Sequence, residues 1–286
     1  MNRDLISTLN SQNKDFSKGQ RQIASYIVDN YDKAAYMTAS KLGSAVSVSE
    51  STVVRFAIEL GFEGYPEFQH ALQEIVRIKL TSFQRMDVTN SLIGDGDVLT
   101  KVLNSDIDKL KRTIDEIDRK AFDASVESLV SAENIYIIGT GSSAMLASSL
   151  GHSFQMIFDN VKILDASSAD EIYTQILNVA SGDVIVAISF PRYSRKLISA
   201  VSFAKDSGAR IIALTDSPAS PIASFADNLL IARSDMASFA DSLIAPMSVI
   251  NALVVAASRK KQDELRIKLH QLEKIWDEYN VYDTNR

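Results

Sequence analysis

Ile135-Tyr136-Ile137-Ile138-Gly139-Thr140-Gly141-Ser142-Ser143 is the stretch from which the fold of the C-terminal half can be read. Four consecutive apolar, mostly β-branched residues predict a strand buried on both faces. Two glycines and two serines then turn the chain into an Ala- and Leu-rich helix over about 144–158. A strand, a Gly/Ser turn and a helix N-terminus together make an anion site. Glycine lets the backbone approach closely, the first helical amides point outward, and the helix dipole favours negative charge. The hydroxyls of Ser142 and Ser143 add donors without adding charge. Many α/β proteins turn this way without holding a ligand, so the motif needs its context.

That context is an alternation of helices and strands from Ala121 onward. Strands are predicted at 135–139, 161–164, 184–189, 211–215 and 228–231, with helices between them. Such alternation means a parallel sheet covered on both faces, and ligands of such sheets bind beyond the carboxyl ends of the strands. The loops to inspect therefore follow Gly139, Leu164, Ser189, Leu214 and Ile231. The third strand leads into Ser189-Phe190-Pro191-Arg192-Tyr193-Ser194-Arg195, a loop of hydroxyls and arginine before another helix. With the Gly139–Ser143 turn it supplies a second hydroxyl-lined helix N-terminus able to face one anion. Arg192 lies between Ser189 and Ser194 and is read toward the ligand, whereas Arg195 is read as a solvated surface residue.

Composition is that of an ordinary globular protein, with 46% hydrophobic and 23% charged residues over 286 positions, enough for two domains. The absence of cysteine excludes disulfides and thiolate metal sites and suits a reducing cytoplasm. Met1-Asn2-Arg3-Asp4 leads into no apolar signal core. The most apolar long run, Leu243 to Ala257, holds Pro246, Ser248 and Asn251 and is too short for a bilayer, so a buried helix is expected there. The net charge of −6 falls entirely outside residues 1–80, which carry nine basic and nine acidic residues. No basic patch announces nucleic acid, and a DNA reading must rest on a motif.

Residues 4–82 supply that motif. Phe16, Ile23, Ile27 and Tyr31 recur at helical spacing after Ser17. A short helix starts near Met37 and ends near Val46. Next comes Val46-Ser47-Val48-Ser49-Glu50-Ser51-Thr52-Val53-Val54-Arg55-Phe56, in which Ser47 with Glu50 fits a capping box and Ser49 fits a cap one turn later. Val53, Phe56 and Leu60 share one face and are expected in the core. Gly61 is placed to end the helix in a left-handed conformation. Two short helices, a tight turn and a polar first turn describe a helix-turn-helix. Glu50, Ser51, Thr52 and Arg55 are then expected in the major groove of double-stranded DNA, with Lys41 and Ser49 near phosphate. The string Arg55-Phe56-Ala57-x-x-Leu60-Gly61-Phe62-x-Gly64-Tyr65-Pro66-x-Phe68 resembles the N-terminal domain of the RpiR family of bacterial transcription regulators, over residues 1–80.

Residues 83–97, with Thr89-Asn90-Ser91 and Gly94-Asp95-Gly96-Asp97, have loop chemistry and mark an interdomain boundary. Val98 to Ile117 predicts an amphipathic helix carrying Leu99, Leu103, Ile107, Leu110 and Ile114, which either bridges the domains or packs against a second subunit. A final helix over 261–280 carries Leu265, Leu269, Leu272, Trp276 and Tyr279, and its stripe fits the chain's own domain or a dimer contact equally. The expected layout is an all-α helix-turn-helix domain (1–82), a linker with a bridging helix (83–120), an α/β domain with a five-stranded, doubly wound parallel sheet (121–258) and a terminal amphipathic helix (259–286).

The α/β part resembles the sugar isomerase (SIS) domain over about 121–256. In that family Gly-x-Gly-x-Ser follows the first strand, and Gly139, Gly141 and Ser143 match it, with Ser142 offering a neighbouring hydroxyl. The family's second loop, Ser-x-Ser-Gly-x-Thr, holds a sugar phosphate. Here Ser189 matches and Ser194 keeps the hydroxyl of the final Thr. Pro191 replaces a Ser and removes an amide donor, and Arg192 replaces the Gly, adding a charge that favours an anion. The resemblance implies ligand residues Gly139, Gly141, Ser142, Ser143, Ser189, Arg192, Tyr193 and Ser194, with Tyr193 either flanking the sugar or exposed. It implies a DNA-binding regulator that senses a small anionic metabolite such as a sugar phosphate, acting in the cytoplasm as a homodimer or homotetramer without cofactor, metal or membrane.

The alternative is a phosphosugar isomerase or lyase of the SIS type, which needs a general base at the substrate carbons. His70 lies in the front domain and His270 in the terminal helix, and His152, two turns into the helix after the Gly loop, is expected to be packed. Asp170 and Glu171 are the remaining candidates, and their position also fits the opening of a helix. A nucleotide-binding enzyme is excluded by the lack of a Gly-x-x-x-x-Gly-Lys-Ser/Thr loop or of an acidic residue correctly placed after a full Gly-x-Gly-x-x-Gly.

Overall fold

The structure is a computed structural model describing residues 5, 8–9, 16–79, 81–94, 96–235 and 240–282. The segment Met1–Asp4 and Asp95 of the proposed boundary lie outside the described residues. The chain forms two compact units, Met1–Lys101 with Asp235–Asp241 and Val102–Ser234 with Ser242–Arg286.

In the first unit every described element is helical. Helix α1 (Lys18–Asp29) opens with a capping box between Ser17 and Gln20 and buries Ile23 and Ile27, as the periodicity predicts. Short helices α2 (Tyr31–Ala34) and α3 (Ala39–Ala45) follow, then α4 (Glu50–Glu59), α5 (Tyr65–Lys79) and α6 (Ser82–Ile93). Edge-on rings hold the core: Phe56 meets Phe16 at 5.3 Å and Phe68 at 6.0 Å between centroids. Tyr65 donates its hydroxyl to the Met37 carbonyl at 2.7 Å, and burial pushes its pKa up to about 12.

Helix α6 corrects the reading of 83–97 as loop. Thr81 and Gln84 form a capping box, and Val88 and Thr89 are buried, so Thr89-Asn90-Ser91 sit inside a helix despite their turn chemistry. The break contracts to the residues after Gly94, whose φ of 57° stops the helix. Asp97 then accepts the Thr100 amide at 3.1 Å at the start of α7 (Val98–Glu116), and its hydrogen bonds with Thr100 hold its carboxyl below the usual carboxylate range.

The second unit runs α8 (Arg119–Ser131), β1 (Ile135–Gly139), α9 (Ser142–Ile157), β2 (Val161–Ile163), α10 (Ala169–Ile176), β3 (Val184–Ile188), α11 (Arg195–Asp206), β4 (Arg210–Thr215), β5 (Asn228–Ile231), α12 (Ile244–Lys260) and α13 (Gln262–Glu278). The strands pair in parallel in the order β2-β1-β3-β4-β5. Alternate side chains feed two cores. Ile135, Ile137, Val184, Val186 and Ile188 join Leu150, Phe154, Ile250 and Leu253, while Tyr136, Ile138, Ile185 and Ala187 join Ile172, Leu197 and Val201. Both faces are therefore covered, which explains why β1 and β3 read as unbroken apolar runs. Helix α12 buries one face and leaves Ile244 and Val255 exposed, and among the described residues no helix is long and apolar enough to cross a membrane.

Candidate functional site

From β1 the chain passes to β2 at one side, and β3 takes the other side of β1. Strand order thus reverses between β1 and β3, the place where parallel sheets open a crevice for ligands. Gly139 pairs with Ile188, so the turn at 140–143 and the loop at 189–194 leave neighbouring strand ends side by side.

Each glycine of the first turn has its own reason. A Cβ on Gly139 would lie 2.3 Å from the Ser143 carbonyl oxygen and 2.7 Å from its carbon. The first turn of α9 therefore rests directly on the end of the strand. Gly141 is the N-cap of α9 with φ 59°, and no atom lies within 4 Å of its would-be Cβ. Its left-handed backbone faces open space, where a ligand can approach. Ser142 is exposed, whereas Ser143 is only 3% exposed and sits against the strand end.

The second loop is half anchored. The Ser189 amide donates to the Leu214 carbonyl at 3.1 Å, and Phe190 and Pro191 are buried, with Phe190 in the core beside Ile188. Arg192 is the first exposed side chain of the loop, followed by half-buried Tyr193 and Ser194. Arg195, like Arg192, is exposed.

Six helix starts are closed by a side chain, whereas those of α2, α12 and α13 are not. Ser17, Thr38, Ser49, Thr81, Asp118 and Ser168 each cap their helix with a side-chain oxygen. At α9 and α11, capped by Gly141 and Ser194, no side chain does so. Among the described residues the hydroxyls of Ser142, Ser143, Ser189 and Ser194 make no hydrogen bond. Two helix N-termini with amide groups that no side chain caps thus sit beside four unengaged hydroxyls, a composition suited to an anion.

A residue missed in the sequence completes this edge. Asp216 follows β4, the strand next to β3, and is 1% exposed. It accepts the Tyr193 hydroxyl at 2.9 and 3.1 Å and the Thr215 hydroxyl at 3.1 Å. The signal available was a carboxylate directly after a strand's carboxyl end. Tyr193, left open between ligand and solvent, is tied to Asp216. The candidate bases are placed otherwise. Asp170 and Glu171 are exposed in the first turn of α10, and hydrogen bonds from Ser168 hold the Asp170 carboxyl below its usual range. His152, expected to be packed, is exposed on α9.

In the helical unit Ser49 is the N-cap of α4. Its hydroxyl accepts the Thr52 amide at 3.3 Å and meets the Ser51 and Thr52 hydroxyls at 2.9 and 2.8 Å. Ser47 instead occupies the turn with φ 57°, which removes it from the capping box. The turn is tight at Gly43, where a Cβ would lie 2.8 Å from the Val48 carbonyl oxygen. Val53, Phe56 and Ala57 are buried; Leu60, expected in the core, is the half-buried C-cap. Gly61, φ 93°, donates to Ile58 while Phe62 donates to Ala57, the hydrogen-bond pair of a left-handed helix stop. Lys41, Ser49, Glu50, Ser51 and Arg55 are exposed and Thr52 is half-buried, so the polar start of α4 faces outward.

Comparison with known proteins follows the same division. Residues 3–77 match the helix-turn-helix domain of the rpiR family, and residues 128–256 match the SIS domain. An uncharacterized HTH-type transcriptional regulator of Clostridium perfringens is 30% identical over 213 residues, covering 74% of this chain and 75% of its own. The chain belongs to the RpiR family. The HTH-type regulator HexR of Pseudomonas aeruginosa is 28% identical over 226 residues, covering 77% of this chain and 76% of its own. Among solved structures, the sugar isomerase domain of an RpiR transcription factor from Sphaerobacter thermophilus is 26% identical with TM-score 0.58, covering 61% of this chain and 97% of that one. The Vibrio vulnificus NanR protein complexed with ManNAc-6P shares the fold over 98% of this chain and 100% of its own, at 24% identity and TM-score 0.61. This RpiR-family chain is therefore a transcriptional regulator with a helix-turn-helix domain in front of a SIS domain.

Proposed function

We propose that this regulator reads a two-fold operator with the N-terminal turn of α4 and adjusts its occupancy by holding a sugar phosphate between the β1 and β3 loops. The observation that carries the sensor half is the pair of helix N-termini without side-chain caps beside four unengaged hydroxyls at the point where strand order reverses. The ManNAc-6P complex of the fold neighbour NanR supports the ligand class. Ser142, Ser143, Ser189 and Ser194 bind phosphate oxygens, Arg192 supplies the formal charge and Tyr193 lines the sugar side. At the DNA, Glu50, Ser51, Thr52 and Arg55 address base edges while Lys41 and Ser49 meet phosphate.

The pocket binds without turnover. Asp170 and Glu171 open α10, His152 faces solvent, and Asp216, the carboxylate beside the β3 loop, is engaged by the Tyr193 and Thr215 hydroxyls, an arrangement that favours binding over proton abstraction. The regulator works as an even oligomer, because one helix-turn-helix spans a short half-site and two-fold proteins read two-fold operators. Coupling is reciprocal: whatever the sugar phosphate does to operator affinity, the operator does to sugar-phosphate affinity.

Calorimetry with ManNAc-6P and a panel of hexose phosphates tests the reading on the wild type, Ser143→Ala and Arg192→Ala. Lost ligand affinity with intact operator binding by the ligand-free variants is expected. Normal ligand affinity in both variants would put the pocket elsewhere, and conversion of the ligand by the wild type would restore the enzyme reading.

A further inference from the structure

Asp216 is a carboxylate sunk into the carboxyl edge of the sheet, 1% exposed. The neighbouring strands fix its place. Leu214 pairs with Ile188 and accepts the Ser189 amide, while Thr215 pairs with Ile231 and accepts the Ala232 amide at 2.8 Å. Two hydroxyls meet the carboxylate, that of Thr215 at 3.1 Å and that of Tyr193 at 2.9 and 3.1 Å. A phenol carries one proton and an ionised carboxylate carries none, so the Tyr193 hydroxyl donates and Asp216 accepts. Hydrogen bonds to a charged acceptor are the strong ones, and a ligand does not easily turn this one round. Whatever else meets the Tyr193 oxygen must therefore bring a proton of its own.

This divides the crevice by polarity. On the β1 side and along the β3 loop stand groups able to donate: the hydroxyls of Ser142, Ser143, Ser189 and Ser194, the two helix N-termini and Arg192. Toward β4 stands an acceptor, the oxygen of Tyr193, which is half-buried rather than sealed in. We infer that the effector matches this polarity: a singly phosphorylated sugar whose other end presents a neutral donor, a hydroxyl or an amide N–H, to Tyr193. Asp216 is then the positioning residue that sets the preference, acting through the phenol. The inference rests on the sugar-phosphate reading above and names the group required at the far end of that ligand. A carboxylate or a second phosphate there would set lone pairs against the lone pairs of Tyr193 and leave both unsatisfied away from water. A site built to bond a hydroxyl or N–H rejects analogues lacking it far more strongly than one that recognises shape alone.

Calorimetry on the full-length protein tests this with two matched pairs. Glucitol-6P and gluconate-6P are open chains that differ in a terminal hydroxyl against a carboxylate, and glucose-6P differs from glucose bisphosphate by a second phosphate on the same ring. The neutral-ended member of each pair should bind at least about tenfold more tightly. A site answering only to charge would rank each pair the other way. In Asp216→Asn an amide of the same shape donates to the phenol oxygen and releases the phenol proton toward the ligand, so the preference should shrink by about tenfold. Tyr193→Phe should weaken binding of the neutral-ended probes and bring each pair close to equality. The ratio within a pair is the deciding readout, because a general loosening of the loop weakens both members alike, and the wild-type comparison requires no variant to fold. Equal or tighter wild-type binding of gluconate-6P and glucose bisphosphate overturns the inference; if Ser143→Ala still weakens them, the sugar-phosphate pocket stands. Ratios unchanged in Asp216→Asn and Tyr193→Phe alike overturn the role of Asp216. Failure of these probes and of ManNAc-6P to bind the wild type overturns the pocket and the inference together.

Discussion

Gly139→Ala places a single methyl group where the strand end supports the sensor loop. The added carbon would stand 2.3 Å from the Ser143 carbonyl oxygen and 3.1 Å from the Ala147 Cβ, against ordinary contact at 3.4 Å and beyond. Backbone cannot swing aside like a side chain, so the first turn of α9 must withdraw by roughly 1 Å. Overpacking of this kind costs about 1–3 kcal/mol, which in a unit of this size lowers Tm by roughly 2–10 °C. The withdrawal carries Ser142, Ser143 and the first amides of α9 with it. Losing one hydrogen bond to a charged ligand costs about 1.5–3 kcal/mol, so calorimetry with the sugar phosphate that binds the wild type best should show affinity reduced by about 10- to 100-fold. Gel-shift affinity of the ligand-free protein for its operator should stay unchanged, because the core of α4 is in the other unit. Gly141→Ala is the companion: it meets no atom within 4 Å but holds φ 59°, so its cost of about 1–2 kcal/mol is conformational. Wild-type Tm and ligand affinity in Gly139→Ala would refute the close-contact argument.

Arg55→Ala should weaken specific operator binding by about 1–3 kcal/mol and relax sequence preference at its position, read by footprinting across single-base operator variants. Phe56→Ala empties the ring stack with Phe16 and Phe68 and should destabilise the helical unit by about 3–5 kcal/mol in denaturant unfolding, abolishing operator binding at 37 °C. Lys109→Met keeps the aliphatic stem but leaves Asp106 with fewer donors, and should cost about 1–3 kcal/mol in the same assay. For Asp227, burial raises the carboxyl pKa, but the Ile211 amide and Lys205 outweigh it and hold it below 3.8. A depressed folded pKa stabilises the fold above the unfolded value and loses that stabilisation as pH falls through the folded value. Wild-type stability should therefore fall below about pH 4 more steeply than that of Asp227→Asn in acid titration monitored by circular dichroism.

Sheet strands buried on both faces leave an unmistakable apolar run, so β1 and β3 and their loops were legible from Ile135 and Val184 onward. The helix-turn-helix was legible through capping chemistry at Ser49 and the stop at Gly61. Helix α6 was not, because Thr89-Asn90-Ser91 have turn preferences that only the Thr81/Gln84 capping box and the burial of Val88 and Thr89 override. Asp216 was hidden for a different reason. Its partnership with Tyr193 exists only once β3 and β4 lie side by side, and no local pattern encodes that. In α7 the pattern located the aliphatic row, but the helix buries Lys109 and Thr113, and lysine is a residue type that pattern reasoning assigns to solvent.

The split character of the loop after β3 bears on how such a regulator could be re-addressed. Ser189 is fastened to Leu214, and Phe190 and Pro191 are sunk in the interior, so the loop's path is fixed before it reaches Arg192. Arg192, Tyr193 and Ser194 then form a three-letter address written on a rigid mount. In the proposed pocket, substitutions at Arg192 and Ser194 change the chemistry offered to a metabolite and spare the sheet, whereas Tyr193 must keep a donor for the buried Asp216. A biosensor library that varies Arg192 and Ser194 and keeps Tyr193 therefore explores new effectors at little cost to folding.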